Sequence, residues 1–421
     1  MKAVCICILA SFGLAIPQAD TPAELVTQAE QLIRHGDTQG ALAALSKAAV
    51  TGPASAESED RIGFLLAVLG RQSDAIEHFQ KSISLDSRFA AAHYHLGVAF
   101  WLAKEPDRAM PELQEAARLS PTVFDYRYRL GSAYLGNRDY AQAAVELRQA
   151  VTLDASKPAA WQSLGQALQS SGDLAGAVDA YQRASKLDPS SDNIRNAYAF
   201  ALIETRQPDH GIEECKKVLS HDPSNTSALM NLGYANLKKG EFAAAERAFR
   251  ELLARDPKSI PAHYDLGIAL KMKDQIEAAQ NEFKEVIRLD PFMAEAHYTL
   301  GLTDWQLGDF AATMEQMRAA ITIRPDYAEA HYMLGTVLKQ SGDLDSAIQE
   351  LREAIRLDPT TPGPFNTLGQ ILRIKGDKQG SEEAFATGAR LKREKESQLS
   401  NTLEQGMRGG TVPKPLTTAP R

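Results

Sequence analysis

Four histidines occupy one place in a recurring sequence, Ala-His-Tyr-x-Leu-Gly: His93, His263, His297 and His331. Imidazole is a common metal ligand and the side chain best suited to proton transfer near neutral pH, so a histidine column is the first chemistry to weigh. Its members recur at multiples of 34 residues, so each belongs to a different structural unit. Packed helices lie about 10 Å apart, too far for two imidazoles that must each approach one zinc ion to about 2 Å. Packing at the core or edge of a unit is the expected role, and no metal is assigned. His93 and His95 are two residues apart and diverge around a helix instead of chelating together.

Other catalytic patterns are missing. No two glycines stand two residues apart and no Gly-Lys pair occurs, which removes the dinucleotide fingerprint and the P-loop. No Gly-x-Ser-x-Gly elbow and no His-Glu pair exist, so neither a serine hydrolase nor a zinc-protease helix is expected. Cys5 and Cys7 sit in an apolar leader, and Cys215 is the single thiol beyond it. Cys215 is read as a small apolar filler, and no intrachain disulfide is expected in the body of the protein. The chain is expected to be no enzyme and to carry no cofactor.

The elements behind these residues are set by one period. Leu-Gly pairs stand at 96–97, 130–131, 164–165, 232–233, 266–267, 300–301, 334–335 and 368–369, every step being 34 residues or twice that. Twelve residues after the Gly, Ala recurs in eight units: Ala41, Ala75, Ala109, Ala143, Ala177, Ala245, Ala279 and Ala347. Four later comes a large apolar residue such as Phe79, Tyr181, Phe249, Phe283 or Phe385. A second Gly follows the first by seven in seven units, and Pro follows it by 24 in eight, from Pro53 to Pro359. Each unit thus holds two amphipathic helical stretches. The second Gly ends the first helix in the left-handed conformation, and Pro closes the second. The Gly of Leu-Gly lies inside a helix, where it costs about 1 kcal/mol against Ala. Its recurrence implies a close approach, expected here against the small Ala of the second helix.

The spacing of Leu-Gly, Ala, aromatic and Pro in a 34-residue unit resembles the tetratricopeptide repeat. Eleven units tile 374 of the 421 residues without insertion: 22–55, 56–89, 90–123, 124–157, 158–191, 192–225, 226–259, 260–293, 294–327, 328–361 and 362–395. The resemblance implies an all-α fold, a right-handed α-solenoid (superhelix) of antiparallel helix pairs with the first helix of each pair lining a concave groove. Departures are local: Trp161 alone carries the family's tryptophan, Tyr198-Ala199 replaces Leu-Gly, and Ser381 and Arg393 stand where Ala and Pro usually do.

In this family the fifth, ninth and twelfth residues of each unit face the groove. Carried over, the partner-binding residues are Tyr94, Val98, Trp101, Tyr128, Leu135, Phe200, Tyr234, Tyr264, Ile268, Tyr298, Leu302, Trp305 and Tyr332, in two aromatic-rich stretches separated by Gln162, Gln166 and Gln169. Tyrosine and tryptophan offer large contact area and dominate binding hot spots, so the stripe reads as an interaction surface. Some of its tyrosines are also expected to pack against the adjacent unit. No unit has Lys at the fifth or Asn at the ninth position, so the carboxylate clamp of chaperone-docking members is not expected.

Acidic residues, 54, exceed the 46 Lys and Arg, for a net charge of −8. That balance does not suit a phosphate-neutralising surface, so no nucleic-acid partner is expected. The first 19 residues, with Lys2, an apolar run from Ala3 to Ile16 and Ala19 before Asp20, read as a signal peptide too short to span a membrane. An uncleaved anchor is the alternative. Residues 396–408 extend the last helix as a cap, and 409–421 are expected to be a disordered tail. The function expected is a non-enzymatic scaffold or adaptor, periplasmic or secreted, that binds protein or peptide segments in its groove. The alternative is an envelope-assembly factor or the positioning subunit of a glycan-handling enzyme complex. Homo-oligomerisation through the helix carrying Leu399 and Leu403 is a further option.

Overall fold

The structure, a computed structural model, describes residues 21–51 and 53–409, with side chains to Asn401. The leader (1–19) and residues 410–421 of the expected tail lie outside the described residues. Among the described residues there are twenty-two helices and no strand. In chain order they are α1 (Pro22–Arg34), α2 (Thr38–Val50), α3 (Ala56–Val68), α4 (Gln72–Leu85), α5 (Ala90–Leu102), α6 (Pro106–Leu119), α7 (Phe124–Gly136), α8 (Tyr140–Leu153), α9 (Pro158–Ser170), α10 (Leu174–Leu187) and α11 (Asp192–Glu204). They continue as α12 (Pro208–His221), α13 (Thr226–Lys239), α14 (Phe242–Leu253), α15 (Ile260–Met272), α16 (Ile276–Leu289), α17 (Ala294–Gln306), α18 (Phe310–Ile323), α19 (Ala328–Ser341), α20 (Leu344–Leu357), α21 (Pro362–Ile374) and α22 (Lys378–Gly409). The fold is an all-α solenoid of tandem helix pairs. Contacts divide the chain into two compact units, one ending at Thr205 and one beginning at Arg206.

Local chemistry starts and stops each helix. Thr21 and Ser55 form capping boxes at the heads of α1 and α3. Six second helices begin on an aspartate whose carboxylate accepts a first-turn N–H: Asp37, Asp139, Asp173, Asp309, Asp343 and Asp377. Before them the chain turns through a residue of positive φ. Seven units place Gly there: Gly36, Gly70, Gly172, Gly240, Gly308, Gly342 and Gly376. The other four hold the same turn with Lys104, Arg138, Arg206 and Asp274, at φ of 60–62°. At the far end, Asp154, Asp188, Asp222 and Asp358 accept the N–H two residues on, turning the chain into the next unit.

Where a glycine stands inside a first helix it faces chiefly the large residue four beyond the small Ala; the Ala position contributes its backbone carbonyl, 3.1 Å from a Cβ built on Gly63 (Ala75) and 3.2 Å from one on Gly335 (Ala347). A Cβ on Gly63, Gly165 or Gly267 would lie 2.6–2.7 Å from the ring of Phe79, Tyr181 or Phe283. One on Gly97, Gly131 or Gly335 would meet Leu113, Leu147 or Leu351 at 2.7–2.8 Å. The ring or branched tip thus uses the absent side chain as a socket. The Ala positions, all fully buried, hold the second helix against the first. Where Thr313 and Ser381 replace that Ala, each hydroxyl is satisfied at 2.8 Å, by the carbonyls of Asp309 and Gly369.

First helices touch their counterparts in neighbouring pairs (α1 with α3, α3 with α5, α5 with α7, α7 with α9; α13 with α15, α19 with α21). Among the described residues second helices make no comparable contact with one another, so within each unit the first helices form the inner wall.

Candidate binding groove

The first helices are held in rotation by a recurring clamp at the fourth residue. His331 points Nδ1 at the Glu350 carboxylate, 2.6 Å away on α20, and Nε2 at the Pro325 carbonyl, 3.1 Å away in the preceding turn. His93 does the same with Glu112 and Ser87, and His263 with Glu282 and Pro257, at the same distances. His297 substitutes a neutral acceptor, Gln316, at 2.8 Å. Arg127 reaches Glu146 at 2.7 Å and the Pro121 carbonyl at 3.2 Å, and Trp161 keeps only the carbonyl bond, to Ala155 at 2.9 Å. In α3 the pair is reversed, with Glu59 at the fourth position and His78 on α4. The histidine column thus joins the two helices of a pair to the turn before it. A carbonyl only accepts, so Nε2 of His331 donates, and the bond to Glu350 raises the pKa of the ring. Among the described residues no cluster of His, Cys, Asp or Glu could hold a metal ion. Cys215 is fully buried, which pushes its thiol up to about 12 and leaves it unreactive.

All thirteen residues expected in the groove are half-buried. In the unit ending at Thr205, Tyr94, Val98 and Trp101 pack on the cluster of Leu113 and Leu130, with the Tyr94 ring 4.8 Å from Tyr126. Tyr128 stacks on Phe124 at 5.6 Å and, with Leu135, covers the cluster around Leu147 and Leu164. Phe200 lies on α11. In the unit beginning at Arg206, Tyr264 and Ile268 cover the cluster of Phe249 and Phe283, and the Tyr264 hydroxyl meets Thr299 Oγ1 on the next first helix at 3.0 Å. Tyr298, Leu302 and Tyr332 border the cluster of Met317 and Leu334; the Tyr298 ring lies 4.9 Å from Tyr327, and Trp305 lies 5.0 Å from Phe310. Tyr234 carries the Lys238 ammonium 5.0 Å from its ring. Much of this aromatic surface joins successive helices and leaves only part of each ring open.

More openly exposed apolar side chains on the first helices stand at the ninth residue of the second repeat and at several thirteenth residues. Phe64 (47% exposed), Val68 (56%) and Leu102 (68%) are the ninth and thirteenth residues of their units. Met272 and Ile374, also thirteenth residues, are open in the second unit. The signal was present as Phe64 followed by Val68, and Val98 by Leu102, at a spacing of four. Charge between neighbouring first helices is paired in two places, Arg61 with Glu30 at 2.7 Å and His95 with Asp60 at 2.8 Å. Burial lowers the pKa of Lys271 and pushes Asp265 up to about 6. Of the three glutamines, Gln166 is exposed, and Gln162 and Gln169 are half-buried. A cavity of about 360 Å³ lined by Ile83, Leu96, Phe100 and Arg108 sits instead among α4, α5 and α6.

Repeat geometry and family comparison agree. A profile described as the TPR domain of cytochrome c-type biogenesis protein H matches residues 129–263. Tetratricopeptide repeat profiles match 236–301 and 298–362, and a TPR repeat profile matches 65–103. The chain is a tetratricopeptide repeat protein. No curated protein matches it. Among solved structures, a tetratricopeptide repeat protein from Parabacteroides merdae ATCC 43184 aligns with a TM-score of 0.51 at 12% identity, over 59% of this chain and 98% of that one, a likeness of fold. PilW, a widely conserved type IV pilus biogenesis factor, aligns with a TM-score of 0.46 at 24% identity, over 51% of this chain and 98% of that one. MamA aligns with a TM-score of 0.38 at 26% identity, over 39% of this chain and 97% of that one. Among the described residues no helix is long and apolar enough to cross a membrane.

Proposed function

We propose that this protein is a non-enzymatic scaffold that binds protein or peptide segments on the inner face of its first helices. The observation that carries this reading is the exposed trio Phe64, Val68 and Leu102 beside the half-buried Tyr94, Val98 and Trp101. Exposed apolar side chains grouped on one face are the usual mark of an interaction surface. Within each compact unit, the residues carried over from the family belong to this reading as the aromatic wall beside the exposed positions. Substituting Phe64, Val68 and Leu102 together by Ser removes apolar surface without opening the core. Co-purification from the native host, with bound peptides identified by mass, is expected to lose its partner in this variant while the melting curve stays in place. Undiminished capture by the triple variant defeats the reading.

Export through the 1–19 leader belongs to the same proposal and places the scaffold in the periplasm or outside the cell. Intact mass of the protein from its host is expected to begin at Asp20; a retained Met1 or Lys2 favours an anchored form. An envelope-assembly role is the second reading, favoured by the match of 129–263 to a cytochrome c biogenesis TPR domain. Partners made up of maturing envelope proteins would select it. A positioning role for a glycan-handling enzyme would show as co-purification of that enzyme, and turnover by the purified chain alone would overturn the non-enzymatic assignment.

A further inference from the structure

On the inner wall, the sixth residue of one first helix faces the fifth of the preceding one, and polar pairs there satisfy each other. His95 Nδ1 meets Asp60 at 2.8 Å between α5 and α3, and Thr299 Oγ1 meets the Tyr264 hydroxyl at 3.0 Å between α17 and α15. At Asp265, the sixth residue of α15, the pattern breaks. The fifth residue of the preceding first helix, α13, is Met230, whose thioether has no hydrogen to give. Asp265 is half-buried, and among the described residues it has no hydrogen bond and no ion pair. Lys238 acts on it through charge, without a hydrogen bond or ion pair to it among the described residues, and the Lys238 ammonium also lies 5.0 Å from the Tyr234 ring. Burial is the larger influence, and its carboxyl is pushed up to about 6, so the group is still mainly ionised at neutral pH. A carboxylate partly withdrawn from water and without a donor lacks the hydrogen bonds that buried charges normally have.

We infer that Asp265 receives a basic side chain, lysine or arginine, from the segment bound on this face. The inference rests on the peptide-binding reading above and deepens it by naming the residue class recognised. A lysine or arginine stem could lie along Met230 and Tyr234 while its head supplies the charge-assisted hydrogen bonds that Asp265 lacks. A metal ion does not suit the position, because Asp265 belongs to no group of three or more His, Cys, Asp or Glu that could hold one among the described residues.

The test uses the full chain and a displayed library of random dodecapeptides, selected in parallel on the wild type and on Asp265→Asn, with thermal melts to confirm that the variant folds. Wild-type selection is expected to enrich Lys or Arg at one position. Replacing that residue by norleucine in a resynthesised peptide should weaken binding to the wild type about tenfold and leave binding to Asp265→Asn unchanged. Equal enrichment of basic residues on the variant, or none on the wild type despite selected binders, overturns the inference and leaves the groove reading standing. A wild type that selects no peptide at all removes both.

Discussion

Gly267 and Gly369 occupy equivalent places in their helices and differ in how tightly the partner ring fills the socket. A Cβ would lie 2.6 Å from Phe283 at Gly267 and 3.1 Å from Phe385 at Gly369. Gly→Ala gains about 1 kcal/mol of helix propensity, against about 1–3 kcal/mol for overpacking. Chemical denaturation is therefore expected to show Gly267→Ala destabilised by up to about 2 kcal/mol and Gly369→Ala close to neutral. Equal effects would mean that the ring does not define the socket. The left-handed turn gives a second comparison. Lys104 and Asp274 both sit near φ 60°, a region that costs most L residues about 1–2 kcal/mol but is eased for Asp by local hydrogen bonding. Lys104→Gly should raise the melting temperature more than Asp274→Gly does. Side-chain burial also governs how the groove can be tested. Tyr264, Tyr298 and Trp305 all make ring or hydroxyl contacts within the fold, so truncating all three removes packing as well as binding surface. Phe64, Val68 and Leu102 are more exposed, and Val68 and Leu102 are the cleanest probes because the Phe64 ring still lies 5.4 Å from His95.

Between helices, the clamp at the fourth residue sets the rotation that decides which side chains reach the inner wall. Nature has already made the neutral version, His297 with Gln316, beside the charged one, His331 with Glu350. The Glu350 bond raises the folded-state pKa of His331. Its stabilisation is therefore fully present below the unfolded value of about 6.5 and fades as pH rises through the raised folded value. Glu350→Gln is expected to lower stability by about 1 kcal/mol near pH 6, the difference between charged and neutral hydrogen bonds. Melting curves of the two proteins should converge toward pH 9, and a gap independent of pH would show that the ring is not held as imidazolium. The sequence placed the histidines in one column but not their partners, because Glu350 and Pro325 lie 19 and 6 residues away and only the folded pair brings them together.

Across the molecule, stability comes from each pair nesting on its neighbours, so pairs at the chain ends have fewer partners than pairs inside a stack. Amide exchange is expected to be faster in α1, α2 and the part of α22 beyond Leu391 than in α15 to α18, where Phe283, Leu270 and Met317 are fully buried. Uniform protection would contradict a nearest-neighbour solenoid. The helix pairs were legible from Leu-Gly, Ala and the closing Pro, and the left-handed turns from Gly36 through Gly376. The residue facing each helical glycine was misjudged, since spacing alone cannot say whether Gly267 meets Ala279 or Phe283. The groove remains a proposal read from position. Its tyrosines were read from position, but their exposure depends on neighbours such as Tyr126, Tyr327 and Thr299.

The amino-acid order alone determined the 34-residue period and, with it, paired helices whose first members share a wall, because backbone turns and apolar spacing are local properties. Only the tertiary structure decided which of that wall's side chains are consumed by packing and which stand open, as Phe64, Val68 and Leu102 do. It also left Asp265 half-buried and without a hydrogen bond among the described residues. Exposure and partnership are set by residues a full repeat away, and no local stretch of chain contains both sides of such a contact.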